Sequence, residues 1–181
     1  MKSIVYIGVS LDGYIAREDG NIDWLGRFAN AEVFQAYQEF IKPIDAILIG
    51  RGTFEKVLSF PSWPYQLPVY VLSSTITEVP PALKGKMELV NQRPANVLQF
   101  LEEKGHQHVY IDGGKLIQGF LADDLVDEMI ISFLPILIGK GIPLFGALST
   151  DLVFELVSTK SFSNGIVSNH YRRMTDTVKG S

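Results

Sequence analysis

Residues 44–58 read IDAILIGRGTFEKVL, and this stretch decides the fold. Its first part, residues 44–49, is short and mostly apolar, and it ends at Gly50. Such a run is typical of a buried strand, while the segment after it predicts a helix over residues 50–58 that is entered through glycines. The stretch therefore predicts one strand-to-helix unit of the kind that builds parallel sheets.

The same alternation of strand and helix continues on both sides of this unit. Strands are predicted over residues 4–10, 68–72 and 109–111. Helices are predicted from residue 30 to the stop at Pro43, around Val97 and Leu101 up to Gly105, and over residues 115–121. Because parallel strands need crossover connections, which are usually helices, the sheet core should be parallel and covered on both faces.

The last third of the chain changes character. Residues 125–134, 152–161 and 166–173 are strand-like, and Asn164-Gly165 is a strong hairpin signal between the last two. The predicted fold class is therefore α/β, with a central, mostly parallel sheet, an antiparallel C-terminal hairpin and flanking helices. No linker or internal repeat interrupts the chain, so we expect a single domain over residues 1–181.

Composition excludes several classes of protein. The chain has no cysteine, which excludes disulfides, thiolate metal sites and a cysteine nucleophile. Its 16 Lys+Arg stand against 20 Asp+Glu without a dense basic patch, so no nucleic-acid partner is expected. The most apolar run, residues 129–139, is far shorter than the ~20 residues that span a membrane. Without a signal peptide at its start, the chain is expected to be soluble and cytoplasmic.

Three polar junctions follow predicted strands. They are Gly50-Arg51-Gly52-Thr53, Ser73-Ser74-Thr75 and Asp112-Gly113-Gly114-Lys115. In an open α/β sheet the carboxyl ends of the strands and the N-termini of the helices converge at one edge, where anions bind. Three such junctions fit a dinucleotide better than a single phosphate. Each junction is also compatible with turn geometry alone. Neither the Rossmann fingerprint nor a phosphate-loop lysine motif is present, so the prediction of a dinucleotide rests on the arrangement of the junctions and not on a motif.

Five motifs stand in the order that is seen in the dihydrofolate reductase-like superfamily. They read SLDGYIA (10–16), IGRGTF (49–54), VLSS (71–74), IDGG (111–114) and PILIGKGIPLF (135–145). Over residues 3–173 the chain resembles this superfamily, and more narrowly the branch that contains the reductase domain of riboflavin biosynthesis. The resemblance implies the three-layer dihydrofolate reductase-like fold. It also implies NADPH-dependent hydride transfer to a small heterocycle such as 5-amino-6-(5-phosphoribosylamino)uracil.

The resemblance also implies roles for individual residues. Arg51 with Ser73 and Ser74 would favour NADPH over NADH, and the acid at Asp112 is more typical of the riboflavin branch than of folate reductases. Ser132 would line the substrate pocket, and Trp24 would either cover a flat substrate or fill the edge of the core. The full set of implied cofactor-binding residues is Gly8, Ile15, Ala16, Gly50, Arg51, Gly52, Thr53, Ser73, Ser74, Asp112, Gly113, Gly114, Lys115 and Leu116.

The proton donor and the exact activity stay open. Asp12, Asp23 and Glu32 are candidate donors besides water, although Asp12-Gly13 also suits a turn and Glu32 the first turn of a helix. The alternatives to the reductase are a dihydrofolate reductase and a catalytically silent NADPH-binding module. Members of the branch commonly form homodimers, for which residues 129–139 could supply an interface unless they lie inside the sheet. No metal site is predicted.

Overall fold

The computed structural model describes residues 1–174, and positions 175–181 of the predicted domain lie outside the described residues. The strands are β1 (Lys2–Ser10), β2 (Tyr14–Ala16), β3 (Ala46–Gly50), β4 (Val69–Leu72), β5 (Met87–Val90), β6 (His108–Asp112), β7 (Glu128–Leu134), β8 (Ile142–Pro143), β9 (Phe154–Ser161) and β10 (Val167–Arg173). The helices are α1 (Ala31–Ile41), α2 (Arg51–Leu58), α3 (Pro94–Glu103) and α4 (Gly114–Ala122), with short 3-10 turns at Leu25–Phe28 and Pro81–Leu83.

Within residues 1–174, eight strands form the main sheet in the order β5-β4-β3-β6-β1-β7-β10-β9. The strands from β5 to β7 in this order run parallel, and β10 runs antiparallel to both β7 and β9. The strands β2 and β8 pair separately in an antiparallel ribbon. The predicted α/β fold class, a mostly parallel sheet with an antiparallel C-terminal hairpin and flanking helices, is therefore confirmed.

Local sequence explains most of these elements. Residues 46–49 of β3 are completely or almost completely buried, as expected for a strand that is covered on both faces. Helix α1 begins where the side chain of Asn30 accepts a hydrogen bond of 2.9 Å from the backbone N–H of Val33. Gly165 has a φ of +85° in the turn between β9 and β10, so the hairpin predicted from Asn164-Gly165 is confirmed.

The sequence did not predict β2, β5 and β8. Strand β5 is a short edge strand that pairs with β4 alone, and its run MELV is interrupted by Glu88. Strands β2 and β8 are three and two residues long and lie far apart in sequence. Their pairing depends on the way the loop after β1 meets the loop after β7, which no local pattern specifies.

The apolar run at residues 129–139 lies largely inside the sheet. Its first part belongs to β7, which is hydrogen-bonded to β1 on one side and to β10 on the other, and Met129 and Ile131 are buried. The part of the run that belongs to β7 is therefore covered by its neighbours in the sheet, whereas Leu137, beyond β7, is 69% exposed, so an interface at this run stays a prediction. The homodimer itself stays a prediction. No helix among residues 1–174 is long and apolar enough to cross a membrane.

Candidate active site

A cleft of about 1020 Å³ opens at the carboxyl ends of the parallel strands. Strands β1, β3, β4 and β6 end at its floor, as expected for a ligand site in an open α/β sheet. Its lining brings together all of the residues that were predicted to bind the cofactor except Ala16, which is buried in β2. The three polar junctions of the sequence therefore meet in one place.

Two helices begin at this cleft without a side-chain cap. Helix α2 starts directly after Gly50 and helix α4 directly after Gly113, and at neither position does a side chain accept a hydrogen bond from the first turn. The backbone N–H groups of a helix's first turn have no partner within the helix and carry the positive end of its dipole. Both helix starts are therefore suited to binding phosphate groups.

Glycine is required at the start of α4 because the backbone there approaches two other elements. Gly113 has a φ of +116°, and a Cβ atom at this position would overlap the Oγ1 atom of Thr53. A Cβ atom on Gly114 would lie 2.5 Å from Cδ1 of Ile15. Without these side chains the turn leaves an open cradle of backbone N–H groups, which fits the pyrophosphate of a dinucleotide.

Arg51 and a group of hydroxyls form the polar rim of the cleft. The Nη1 atom of Arg51 donates to Oγ1 of Thr75 at 3.2 Å, and its side chain is about half exposed. The hydroxyl of Ser73 accepts hydrogen bonds from the backbone N–H groups of Thr75 and Ile76, which fixes the turn after β4. Ser74 lies beside them in the lining. The rim holds a cation and several hydroxyls where an additional phosphate could be bound.

The other end of the cleft is lined by the tyrosine cluster, which we define as Tyr6, Tyr37, Tyr65 and Tyr110. The rings of Tyr6 and Tyr37 meet edge to face at 5.8 Å, and the hydroxyl of Tyr110 donates to the backbone oxygen of Tyr6 at 3.1 Å. Phe40 stacks on Tyr6 at 4.4 Å and supports the cluster from helix α1. Burial raises the pKa of all four tyrosines, so their hydroxyls stay protonated.

Asp112 lies between the tyrosine cluster and the glycine turn. Its side chain is on the same face of β6 as that of Tyr110, because strand residues two apart share a face. Burial raises the pKa of its carboxyl to about 6, although a hydrogen bond from the backbone N–H of Gly113 acts in the opposite direction. Its charge in turn contributes to the raised pKa of Tyr37, Tyr65 and Tyr110. Asp112 is therefore an acid whose proton can be exchanged near neutral pH.

The three acids that were proposed as proton donors lie outside the cleft. Asp12 accepts hydrogen bonds from Ser10 and from the backbone at residues 138–139. Asp23 forms an ion pair with Arg17 at 2.6 Å. Glu32 accepts from the backbone N–H and the hydroxyl of Ser163 at 2.9 and 2.8 Å. Hydrogen bonds lower the pKa of each carboxyl, which stabilises the charged form and opposes donation of a proton. The suggestion that one of these three acids is the proton donor is therefore corrected, because all three carboxyls lie outside the cleft and are held in their charged form.

Trp24 and Ser132 do not line the cleft either. Trp24 is completely buried and packs with Leu134, Phe162 and Ile166, so the prediction that it covers a substrate is wrong and the alternative, that it fills the core, holds. Ser132 lies next to Gly8 in the pairing of β7 with β1, and its hydroxyl donates to that of Ser168 at 3.0 Å. Both side chains fix the structure behind the cleft.

The tyrosine cluster was missed by the sequence analysis. Its members lie on four separate elements, and each of them alone resembles an ordinary half-buried aromatic residue. One signal was available: Tyr110 and Asp112 are two residues apart in a strand, which puts both on one face. Among the described residues, no group of three or more His, Cys, Asp or Glu side chains is arranged to hold a metal ion.

Comparison with known proteins gives consistent matches over almost the whole chain. Residues 2–168 match the family model of the RibD C-terminal domain. The chain is 36% identical over 177 residues to the uncharacterized protein YwjB of Bacillus subtilis, covering 95% of this chain and 98% of that protein. It is 41% identical to a solved structure from Shewanella sp. PV-4, named "Putative riboflavin biosynthesis protein", with a TM-score of 0.91 and coverage of 97% and 100%.

A more distant structure shares the fold alone. It is the diaminohydroxyphosphoribosylaminopyrimidine deaminase/5-amino-6-(5-phosphoribosylamino)uracil reductase of Thermotoga maritima, with 17% identity and a TM-score of 0.74. The match covers 96% of this chain and 56% of that one. The fold is also that of dihydrofolate reductases, so the predicted dihydrofolate reductase-like architecture is confirmed.

Proposed function

This chain belongs to the RibD C-terminal domain family, and from that premise we propose that it is an NADPH-dependent reductase that transfers a hydride to a small heterocyclic substrate. One observation carries the proposal. A single cleft joins two uncapped helix starts and a cationic, hydroxyl-rich rim to an aromatic end that contains one titratable acid. The first part suits a dinucleotide, and the second suits a flat organic acceptor.

The residues of the chain have separable tasks in this proposal. The N–H groups at the starts of α2 and α4 bind the pyrophosphate, and Arg51 with the hydroxyls after β4 binds the 2′-phosphate that distinguishes NADPH from NADH. When bound, the cofactor supplies the hydride. The walls formed by Ile15, Leu25 and the tyrosine cluster exclude water and orient the acceptor. The acceptor would resemble 5-amino-6-(5-phosphoribosylamino)uracil in having a compact nitrogen heterocycle.

The position of Glu32 disfavours the alternative of dihydrofolate reduction. In dihydrofolate reductases a carboxylate on the first helix binds the pterin. The sequence offers no clean equivalent of that carboxylate, and Glu32, in the first turn of helix α1, lies outside the cleft and is held by Ser163. The acid that does line the cleft, Asp112, comes from strand β6.

Calorimetric titration with NADPH and NADH tests the proposed cofactor. We expect NADPH to bind more tightly than NADH, and Arg51→Ala to weaken NADPH by about 10- to 100-fold while changing NADH little, because a charge-assisted hydrogen bond is worth about 1.5–3 kcal/mol. Lys84→Ala, which removes an exposed cation outside the cleft, is the matched control. No NADPH binding by folded protein would contradict the proposal. Binding without oxidation by any heterocyclic acceptor would favour the catalytically silent module.

A further inference from the structure

We propose that the acceptor is an uncharged heterocycle without a phosphate group, and that the tyrosine cluster selects such an acceptor against phosphorylated analogues. The proposal rests on the proposed reductase function and adds to it the charge of the substrate. In this property the chain would differ from the Thermotoga maritima protein, whose name specifies a phosphoribosyl compound.

The cations of the cleft lie mainly at the two helix starts. Among residues 1–174, the cations of its lining are Arg51, Lys56 and Lys115. Arg51 is the first residue of α2 and Lys115 the second residue of α4, so both stand where the phosphates of a dinucleotide would be bound. Lys56 lies in the last turn of α2, one turn beyond Thr53. The phosphates of NADPH therefore find two cations and two helix starts, whereas a phosphate on the acceptor would have Lys56 alone.

The aromatic end of the cleft disfavours negative charge. Burial is the largest cause of the raised pKa of all four tyrosines of the cluster. It also raises the pKa of the neighbouring Asp112 from 3.8 to about 6. At about one factor of ten for each pKa unit, the charged form is disfavoured about 100-fold at this position. A phosphate dianion placed among these groups would lose hydration without gaining a counter-charge, so it should bind poorly.

The tyrosine hydroxyls offer hydrogen bonds to an uncharged ligand. The hydroxyl of Tyr110 donates to the backbone oxygen of Tyr6. Within the described part of the chain, no protein group hydrogen-bonds the hydroxyls of Tyr6, Tyr37 and Tyr65, and none of these three oxygens is fully buried. A protonated hydroxyl donates one hydrogen bond and accepts others, and the aromatic rings can contact the face of a flat molecule. The cluster is therefore complementary to a ligand that is flat, polar and uncharged.

Calorimetry with two matched compounds tests the proposal. Native protein saturated with NADP⁺, which prevents turnover, is titrated with 5-amino-6-(5-phosphoribosylamino)uracil and with 5-amino-6-(ribosylamino)uracil, which lacks only the phosphate. We expect the compound without phosphate to bind about tenfold more tightly or better, because the phosphate loses hydration beside the tyrosine cluster without a matching counter-charge. Equal or tighter binding of the phosphorylated compound overturns the proposal.

A cation introduced beside the cluster should abolish this preference. Phe60 lines the cleft in the same segment as Tyr65 and is 38% exposed, so Phe60→Lys is compatible with folding. We expect it to raise the affinity for the phosphorylated compound about tenfold, because a charge-assisted hydrogen bond to the phosphate can form, and to change the affinity for the other compound little. Leu58→Lys, at an exposed position of α2 outside the lining, is the matched control and should change neither affinity. A Phe60→Lys variant that keeps the native preference contradicts the electrostatic basis of the selection.

The remaining outcomes contradict different statements. If the native protein prefers the phosphorylated compound and Lys56→Met loses that preference, Lys56 is a phosphate site and the proposal is overturned. Binding of neither compound to the NADP⁺-saturated protein overturns the assignment of the tyrosine cluster as the acceptor site. Failure of the native protein to bind NADPH and NADP⁺ overturns the proposed function, and titration of the protein without cofactor still reports the charge preference of the cluster in that case.

Discussion

Replacing Asp112 with asparagine should stabilise the protein at neutral pH. Burial raises the pKa of this carboxyl from 3.8 to about 6, so the folded protein binds the proton more tightly than the unfolded chain does. The stability that this tight binding provides is complete below about pH 4 and is lost as pH rises through about 6. At about 1.4 kcal/mol for each tenfold change in proton affinity, the charged form costs about 3 kcal/mol above pH 6. Asparagine has the same shape and carries no charge, so it removes this cost.

Urea denaturation at pH 7.5 and at pH 4 measures the effect. The free energy of unfolding of Asp112→Asn should exceed that of the native protein by about 3 kcal/mol at pH 7.5, and by less than about 1 kcal/mol at pH 4, where the native carboxyl is mostly protonated. Asp151→Asn, at an exposed position in the loop before β9, should change stability by less than about 0.5 kcal/mol at either pH. A destabilised variant, or a difference that is equal at both pH values, would refute the assignment of Asp112 as a destabilised acid.

Two other substitutions test the cleft and the sheet behind it. Gly113→Ala should weaken NADPH binding at least tenfold in calorimetry and lower the unfolding free energy by about 1–3 kcal/mol, because the residue has a positive φ and its Cβ would overlap Thr53. Gly119→Ala is the control, because this residue lies inside helix α4 with open space around it. It should stabilise the protein by up to about 1 kcal/mol. Although burial raises the pKa of Glu128, hydrogen bonds from Lys2 and His170 at 2.9 and 3.0 Å lower it below its ordinary value. Glu128→Gln should therefore cost about 1–3 kcal/mol in urea denaturation at pH 7, and this difference should shrink as pH falls below about 4; a cost that does not depend on pH would contradict the ionic origin of the stabilisation.

The raised pKa of Asp112 and its cost in stability above pH 6 have the same origin. A site that needs a proton near neutral pH needs a carboxyl with a raised pKa, and burial provides it only by destabilising the charged form in the folded protein. Arg51 at the rim is half exposed, so its charge stays in contact with water. The rim at Arg51 and the end of the cleft at Asp112 therefore differ in their effect on folding as well as in their chemistry.

Sequence patterns predicted the parts of the site that depend on local structure. The glycine turns after β3 and β6 were recognised because each follows an apolar strand and precedes a helix, and both lie in the cleft. The carboxyl ends of neighbouring parallel strands must lie at one edge of a sheet, so local assignments were sufficient to bring these turns together. Ala16 is the one predicted cofactor-binding residue that does not line the cleft, because its position depends on the pairing of β2 with β8.

The direction in which a side chain points could not be predicted in the same way. Asp12, Asp23 and Glu32 lie close in sequence to the predicted cofactor half, yet each carboxylate is held by a partner outside the cleft. Asp12 and Asp23 lie in loops, which have no fixed period to orient a side chain, and Glu32 lies in the first turn of helix α1. In each case the partners that the side chain finds in the folded protein determine its direction. Trp24 is a similar case, because its large apolar surface is stabilised most by complete burial.

By itself, the sequence determined the helices, the glycine turns and the strands other than β2, β5 and β8, because hydrophobic period and backbone preference act over a few neighbouring residues. It also determined that these turns lie at one edge of the sheet, since parallel strands have only one carboxyl edge. The tertiary structure alone decided the aromatic end of the cleft. Tyr6, Tyr37, Tyr65 and Tyr110 meet around Asp112 only because β6 is inserted between β3 and β1. The pKa of Asp112 depends on the water that this assembly excludes, and the exclusion of water is a property of packing rather than of any local sequence.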